Sequence, residues 1–134
     1  KENKSTFILA IIGSLFFFIG SMFFAGVGFT PYDVFFDLHV FFALNSFRLM
    51  IPASLIYLIV FLRSSLSIKY IAVIASFLFL VTAYVIYLNI GENPLSNKEA
   101  MITSATIQKF IAFMSVATVF SLSFGFSKRI NNSK

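Results

Sequence analysis

The amino-acid sequence predicts an all-α fold: a four-helix transmembrane bundle that forms one domain over residues 1–134. Composition is the first observation behind this prediction, because 59% of the residues are hydrophobic and only 11% are charged, whereas soluble domains have about 25% charged residues. The second observation is the mean hydropathy of +0.94. The third is that four mostly apolar runs reach the length of about 20 residues that a transmembrane helix needs.

The four predicted spans cover residues 6–27, 34–62, 70–90 and 101–126. The first is longer than the apolar region of a signal peptide, which is about 7–15 residues, so we expect it to be retained as a span. The second is longer than a bilayer requires, and we expect it to tilt or to project from the membrane. Pro52 lies within it and removes one backbone hydrogen bond, which predicts a kink.

Short polar connections separate the spans, and they contain residues that favour turns. In chain order these residues are Gly28, Thr30 and Pro31, then Ser64, Ser65 and Ser67, then Gly91, Asn93, Pro94 and Asn97. Because the connections are short, consecutive helices are expected to pack as antiparallel neighbours.

Lysine and arginine are distributed unequally between the two sides of the predicted bundle. The side with both termini and the second connection has Lys1, Lys4, Arg63, Lys69, Lys128, Arg129 and Lys134. The other side has Lys98, with Asp33, Glu92 and Glu99. Cytoplasmic loops have an excess of basic residues, so the sequence predicts a multi-pass protein of the cell membrane with both termini in the cytoplasm. Topology also explains the net charge of +5, and no nucleic-acid partner is predicted. The basic pair at 128–129 either only sets this topology or also attracts anionic lipid.

A face of small residues follows the first span. Gly13 and Gly20 are seven positions apart, as are Ser14 and Ser21, so each pair lies on one side of a helix. Small residues let transmembrane helices approach closely. The sequence therefore predicts a helix-packing face that includes Gly13, Gly20 and Ser21. This face serves either packing inside the bundle or docking of another subunit.

The second span carries an unusual set of polar residues around Arg48. A charge near the middle of a span costs about 3 kcal/mol on insertion scales, so it normally faces a partner or a wet cavity. At about 100° per residue, Asp37 points within about 20° of Arg48 and Asn45 within about 60°, whereas His39 points to nearly the opposite side. About 16 Å of helix rise separates Asp37 from Arg48, so these two side chains cannot pair directly.

Further polar residues are predicted in the same half of the membrane. They are Gln108 and Lys109 in the fourth span, and Tyr84, Tyr87 and Asn89 in the third. Two basic residues, Arg48 and Lys109, have no acidic residue at their depth, which points to an anion: a lipid headgroup, a small-molecule carboxylate or an acidic side chain of another subunit. The alternative is a structural network, in which Lys109 extends to the interface and Arg48 bonds to Asn45, tyrosine hydroxyls and carbonyls freed by Pro52.

The sequence offers little for catalysis. One histidine and no cysteine cannot form a His-rich zinc hydrolase site or a bis-His haem site, and no phosphate-binding loop, dinucleotide fingerprint or calcium loop is present. We therefore expect no metal, no cofactor and no enzymatic activity. His39 with Asp37 and Ser46 supplies the residue types of a hydrolase, but without a convincing spacing.

The segments at 25–31, 37–39 and 41–47 are followed in the last span by Gln-Lys-Phe at 108–110. This pattern resembles that of the Frag/DRAM/Sfk-type multi-pass membrane proteins and their prokaryotic relatives of unknown function, in which a Gly-rich helix end and a Pro loop precede a His at the start of the next helix. Those proteins typically have six spans, so we expect the four spans here to correspond to the last four. The resemblance implies a helical membrane bundle without established catalysis, in which His39 and Lys109 are the family-like polar positions.

Three functional hypotheses follow. The leading one is a non-catalytic accessory or structural subunit of a larger membrane protein complex, with other integral membrane subunits and membrane lipids as partners. The second is a lipid-binding or small-anion-binding membrane protein, or a carrier, that uses Arg48 and Lys109. The third and least favoured is a membrane hydrolase centred on Asp37 and His39.

Overall fold

The structure, a computed structural model, describes residues 4–64, 66–91 and 96–132. Within these residues the chain forms four α-helices: α1 (Lys4–Phe29), α2 (Phe36–Leu62), α3 (Ile68–Ile90) and α4 (Lys98–Asn132). All four are long and apolar enough to cross a membrane, in α4 over its part up to Phe124. The all-α class and the four helices of spanning length and hydropathy are thus confirmed.

Three of the four helices extend beyond the apolar runs by which they were predicted, whereas α2 begins at Phe36 rather than at residue 34. Gly28, expected in the first connection, lies inside α1, which ends at Phe29. The fourth helix begins at Lys98 rather than near residue 101, because the Oδ1 atom of Asn97 accepts a hydrogen bond from the backbone N–H of Ala100 at 2.8 Å. A hydropathy criterion marks only the most apolar part of a helix, whereas the helical backbone continues through flanking residues. Ser65, Asn93 and Pro94, predicted in the connections, lie outside the described residues.

The chain divides into two compact units, Lys1–Ser64 and Ser65–Lys134. In the first unit, α1 and α2 form an antiparallel helical hairpin. A Cβ atom placed on Gly13 would lie 3.0 Å from the Tyr57 ring, and one on Gly26 would lie 2.7 Å from the Phe42 ring. As the chain advances along α1, its contacts therefore move backward along α2, as the short connection predicts.

Aromatic side chains extend the packing of this α1–α2 hairpin. The Phe17 ring lies 5.4 Å from that of Tyr57, and the Phe23 ring lies 5.9 Å from that of Phe42. Centroid separations of about 4.5–7 Å are typical of favourable aromatic pairs. Glycines on α1 and aromatic rings on α2 thus complement each other in size, which brings the two backbones close together.

In the second unit, α3 and α4 form another hairpin. Tyr84 and Ser104 are hydrogen-bonded through their side chains across the two helices, and both residues are buried. Tyr84 lies six residues before the end of α3 and Ser104 six residues after the start of α4, as expected for helices that run in opposite directions from a shared connection. The prediction of one domain over residues 1–134 stays a prediction.

Candidate polar site in the helices of spanning length

Arg48 lies at the middle of α2, twelve residues after Phe36 and fourteen before Leu62. These separations correspond to about 18 Å and 21 Å of helix rise. The side chain is exposed, and within the described residues it forms no hydrogen bond, ion pair or ring contact. If α2 crosses a bilayer, this guanidinium lies near the midplane without a partner from the described chain.

Arg48 belongs to an exposed row of side chains on α2, here called the Arg48 stripe. Its members are spaced seven residues apart, and they are Phe41, Arg48, Leu55 and Leu62. The apolar members are 52% (Phe41), 47% (Leu55) and 63% (Leu62) exposed. Tyr57, which packs against α1 at Gly13, is nine residues from Arg48 and thus points about 180° away from it. The side of α2 that carries Arg48 therefore faces away from the point where Tyr57 meets α1, whereas Phe41, at the start of the stripe, also meets the Phe23 ring of α1 at 5.8 Å.

The polar neighbours predicted for Arg48 are engaged elsewhere or lie too far along the helix. The Nδ2 group of Asn45 donates to the backbone oxygen of Phe41 at 2.8 Å, which uses one N–H of this amide within its own helix. Asp37 is exposed in the first turn of α2, where a carboxylate is favoured by the helix dipole. Pro52 has no N–H to donate to the carbonyl of Arg48. The structural-network alternative therefore has no hydrogen bond to support it among the described residues.

His39 links the first connection to α2. Its Nδ1 atom lies 2.6 Å from the backbone oxygen of Thr30. Because a carbonyl oxygen can only accept a hydrogen bond, Nδ1 must carry the proton. The Tyr32 ring meets the imidazole edge-on at 5.7 Å. Ser46 is buried and donates to the backbone oxygen of Ala43 at 2.8 Å. His39 and Ser46 are thus each bonded to a backbone oxygen. The His39 bond joins the first connection to α2.

Some polar residues of the second unit form hydrogen bonds among the described residues, and others do not. Lys109 is exposed, eleven residues into α4 or about 16 Å of helix rise, and within the described residues it forms no hydrogen bond or ion pair. Gln108 beside it is half-buried. Tyr84 is bonded to Ser104, and the Nδ2 group of Asn89 donates to the backbone oxygen of Val85 at 2.6 Å. Lys109 is thus the residue of this unit that resembles Arg48 in its surroundings.

The small-residue face of α1 has two kinds of members. Gly13 and Gly20 are buried and lie against α2, Gly20 beside Leu49. Ser21 is exposed, and its hydroxyl donates to the backbone oxygen of Phe17 at 2.8 Å. The two glycines are therefore occupied by packing inside the α1–α2 hairpin, whereas Ser21 lies on its outside.

Two interhelical hydrogen bonds and one tight contact were not predicted from the sequence. Ser14 and Tyr57 are joined by a hydrogen bond of 2.6 Å between their hydroxyl oxygens, and Ser104 is the partner of Tyr84. A hydroxyl in an apolar run was the available signal, because such groups tend to bond across helices. The contact of Gly26 with Phe42 had no such signal, since spacing along α1 does not tell which glycine faces a ring on α2.

Within the described residues, no cluster of three or more His, Cys, Asp or Glu side chains has the arrangement of a metal site. No protein-family model, curated protein or solved structure matches this chain. The resemblance to the Frag/DRAM/Sfk-type membrane proteins therefore stays a prediction.

Proposed function

We propose that this protein is a non-catalytic, multi-pass accessory or structural subunit of a larger complex in the cell membrane. The observation that carries the proposal is Arg48, exposed at the middle of a helix of spanning length and without a partner in the described part of the chain. Placing an arginine there costs about 3 kcal/mol on insertion scales unless a partner or water compensates it. A subunit that is surrounded by other helices obtains that partner from them.

Lipid alone is a poor source of compensation for Arg48. The hydrocarbon core is about 30 Å thick, so its two surfaces lie about 15 Å from the midplane. Long basic side chains reach headgroups readily from near helix ends, where snorkelling is short. Arg48 is about 18 Å and 21 Å of helix rise from the two ends of α2, which places it near the greatest distance from either surface.

We further propose that both termini lie in the cytoplasm. Lys4 at the start of α1, Arg63 directly after α2 and Lys69 at the start of α3 are all exposed. Helices that each cross the membrane put these three ends on one side. The opposite side has Lys98 but also the exposed acids Asp33 and Glu99, a distribution that favours the first side as cytoplasmic.

Native mass spectrometry of the protein, extracted gently from its own membrane, tests the subunit proposal. We expect the chain to co-migrate with other integral membrane polypeptides in a defined stoichiometry. A monomer or homo-oligomer under conditions that preserve known heteromeric complexes from the same membrane would contradict the proposal.

A second candidate function is binding of an anionic lipid or a small anion. Lys109 favours it, because its ammonium group is exposed on α4 and has no acidic partner among the described residues. In that case native mass spectra should show a defined lipid or anion bound to the chain. Arg48→Gln and Lys109→Gln should each reduce its occupancy while helix content by circular dichroism stays constant, and unchanged occupancy in both variants would count against this candidate.

A further inference from the structure

We infer that the Arg48 stripe is the surface on which the chain binds a transmembrane helix of another subunit, and that this helix has an Asp or Glu side chain near its midpoint. The inference rests on the proposed subunit function and adds to it the site and the chemistry of the partner. It follows from three features of the stripe: its apolar flanks, the depth of its one charge and the positions of the chain's own acids.

The flanks of the stripe are suited to a transmembrane helix. Phe41, Leu55 and Leu62 are apolar and exposed, and their spacing of seven residues aligns them along nearly the whole length of α2. A row with this spacing is the type of seam that a second helix follows at a small crossing angle. Arg48 lies within this seam, so a helix that covers the row must also cover the guanidinium.

The guanidinium selects the chemistry of that helix. In a medium without water, a charged donor left without an acceptor is strongly unfavourable. A carboxylate neutralises the charge and accepts two parallel hydrogen bonds from the planar guanidinium, which an amide or hydroxyl does not match. Because Arg48 is near the middle of α2, the carboxylate must lie near the middle of the partner helix as well.

A second copy of this chain does not supply such a group from the part that the structure describes. Its acids are Glu2, Asp33, Asp37, Glu92 and Glu99. Asp33 precedes α2, Asp37 and Glu99 lie in the first turns of their helices, and the other two lie outside the described residues. Two copies that pack through the stripe would instead bring Arg48 near Arg48, because this residue is at the middle of the helix in either relative direction. The partner is therefore a different polypeptide.

Synthetic transmembrane peptides test the inference with a defined probe. Two leucine-rich peptides of spanning length differ at their central residue, which is Glu in one and Leu in the other. The full chain, labelled with a donor fluorophore, is reconstituted in phosphatidylcholine vesicles, and energy transfer from the chain to acceptor-labelled peptide measures association. We expect the chain to bind the Glu peptide about tenfold more tightly than the Leu peptide, the scale of a strong interhelical polar contact in lipid.

Variants assign this preference to the stripe. Arg48→Leu should abolish it, Arg48→Lys should retain part of it, and Lys69→Leu, which removes an exposed charge at the start of α3, should leave it unchanged. Arg48→Gln replaces Arg48→Leu in the comparison if the latter loses helix content. Equal binding of the two peptides by the parent chain, or a preference that survives removal of Arg48, would overturn the inference. A heteromer in native mass spectra without any preference for the Glu peptide would refute this surface alone, whereas a homo-oligomer or monomer would refute the subunit proposal itself.

Discussion

At the scale of single residues, the hydrogen bond between Ser14 and Tyr57 connects α1 to α2. The hydroxyl of Ser14 donates its one proton to the backbone oxygen of Ala10 at 2.9 Å, so Tyr57 must donate the bond of 2.6 Å that joins their hydroxyls. We predict that Tyr57→Phe lowers the free energy of unfolding by about 0.6 kcal/mol, with about 1.7 kcal/mol as the upper bound for such bonds in lipid.

Reversible unfolding of the reconstituted protein in lipid bicelles measures this effect. Ser14→Ala completes a double-mutant cycle with Tyr57→Phe, and the two losses should not add, because either change removes the same bond. Tyr70→Phe is the matched control, since the Tyr70 hydroxyl has no hydrogen bond within the described residues. Equal losses in Tyr57→Phe and Tyr70→Phe would contradict the assigned bond.

His39 provides a second prediction at this scale. Its Nδ1–H donates to the backbone oxygen of Thr30 and joins the connection after α1 to the first turn of α2. A net contribution of about 1 kcal/mol is typical of such a bond, so His39→Leu should lower the free energy of unfolding by about that amount. His39→Asn places an amide N–H near the Nδ1 position and should retain most of the stability. If Asn destabilises as much as Leu, the ring contact with Tyr32 rather than the hydrogen bond is what His39 contributes.

At the scale of elements, the close approach of α1 and α2 depends on glycine at the positions of α1 that face α2. A Cβ atom on Gly26 would lie 2.7 Å from the Phe42 ring, whereas within the described residues nothing lies within 4 Å of one on Gly28. We predict that Gly26→Ala destabilises the hairpin by about 1–3 kcal/mol, the usual cost of overpacking. Gly28→Ala should be neutral or slightly stabilising, because alanine favours the helix. Bicelle unfolding of the two variants makes the comparison, and similar values for both would contradict the contact of Gly26 with the Phe42 ring.

The start of α4 gives another prediction about an element. Asn97 directly precedes Lys98, the first residue of the helix, and its side chain accepts from the N–H of Ala100, which is the geometry of an N-cap. Asn97→Ala should destabilise this first turn by about 1 kcal/mol, and Asn97→Asp should preserve it. Amide hydrogen exchange at residues 98–101 reports the change directly. Equal protection in Asn97→Ala and the parent would show that this cap contributes nothing.

Hydropathy alone predicts much of the description of the helices. The remaining features cannot be predicted from it, and the cause is physical. A span must be apolar over its whole circumference, so runs such as 70–90 identify α3 (Ile68–Ile90) almost to its ends. The same all-round apolarity hides which side of a helix meets its neighbour, because lipid and protein are equally apolar surroundings. The sequence therefore predicts that Gly13 and Gly20 share a face but not that Tyr57 and Leu49 fill it.

At the scale of the whole molecule, the polar side chains of the described residues fall into two groups. Some form hydrogen bonds inside a hairpin, and others, such as Arg48, have no partner there. The Ser14–Tyr57 bond joins the helices of the first unit and the Tyr84–Ser104 bond those of the second. Arg48 is predictable as an unusual residue from sequence, since charges in spans are rare. Its lack of a partner among the described residues is not, because helix spacing alone does not tell which neighbouring side chains reach the guanidinium.

The proposed insertion and orientation of the chain in the membrane are open to a direct test, because the chain has no native cysteine and single cysteines can be introduced without background. Ser67, before α3, and Ser96, before α4, are both exposed. The excess of Lys and Arg around the first of these sites predicts that it is cytoplasmic. In intact cells, a membrane-impermeant maleimide should label Ser96→Cys and not Ser67→Cys, and permeabilisation should allow both to react. The reverse pattern would mean that Lys and Arg do not orient this protein, and labelling of both in intact cells would mean that α3 does not cross the membrane.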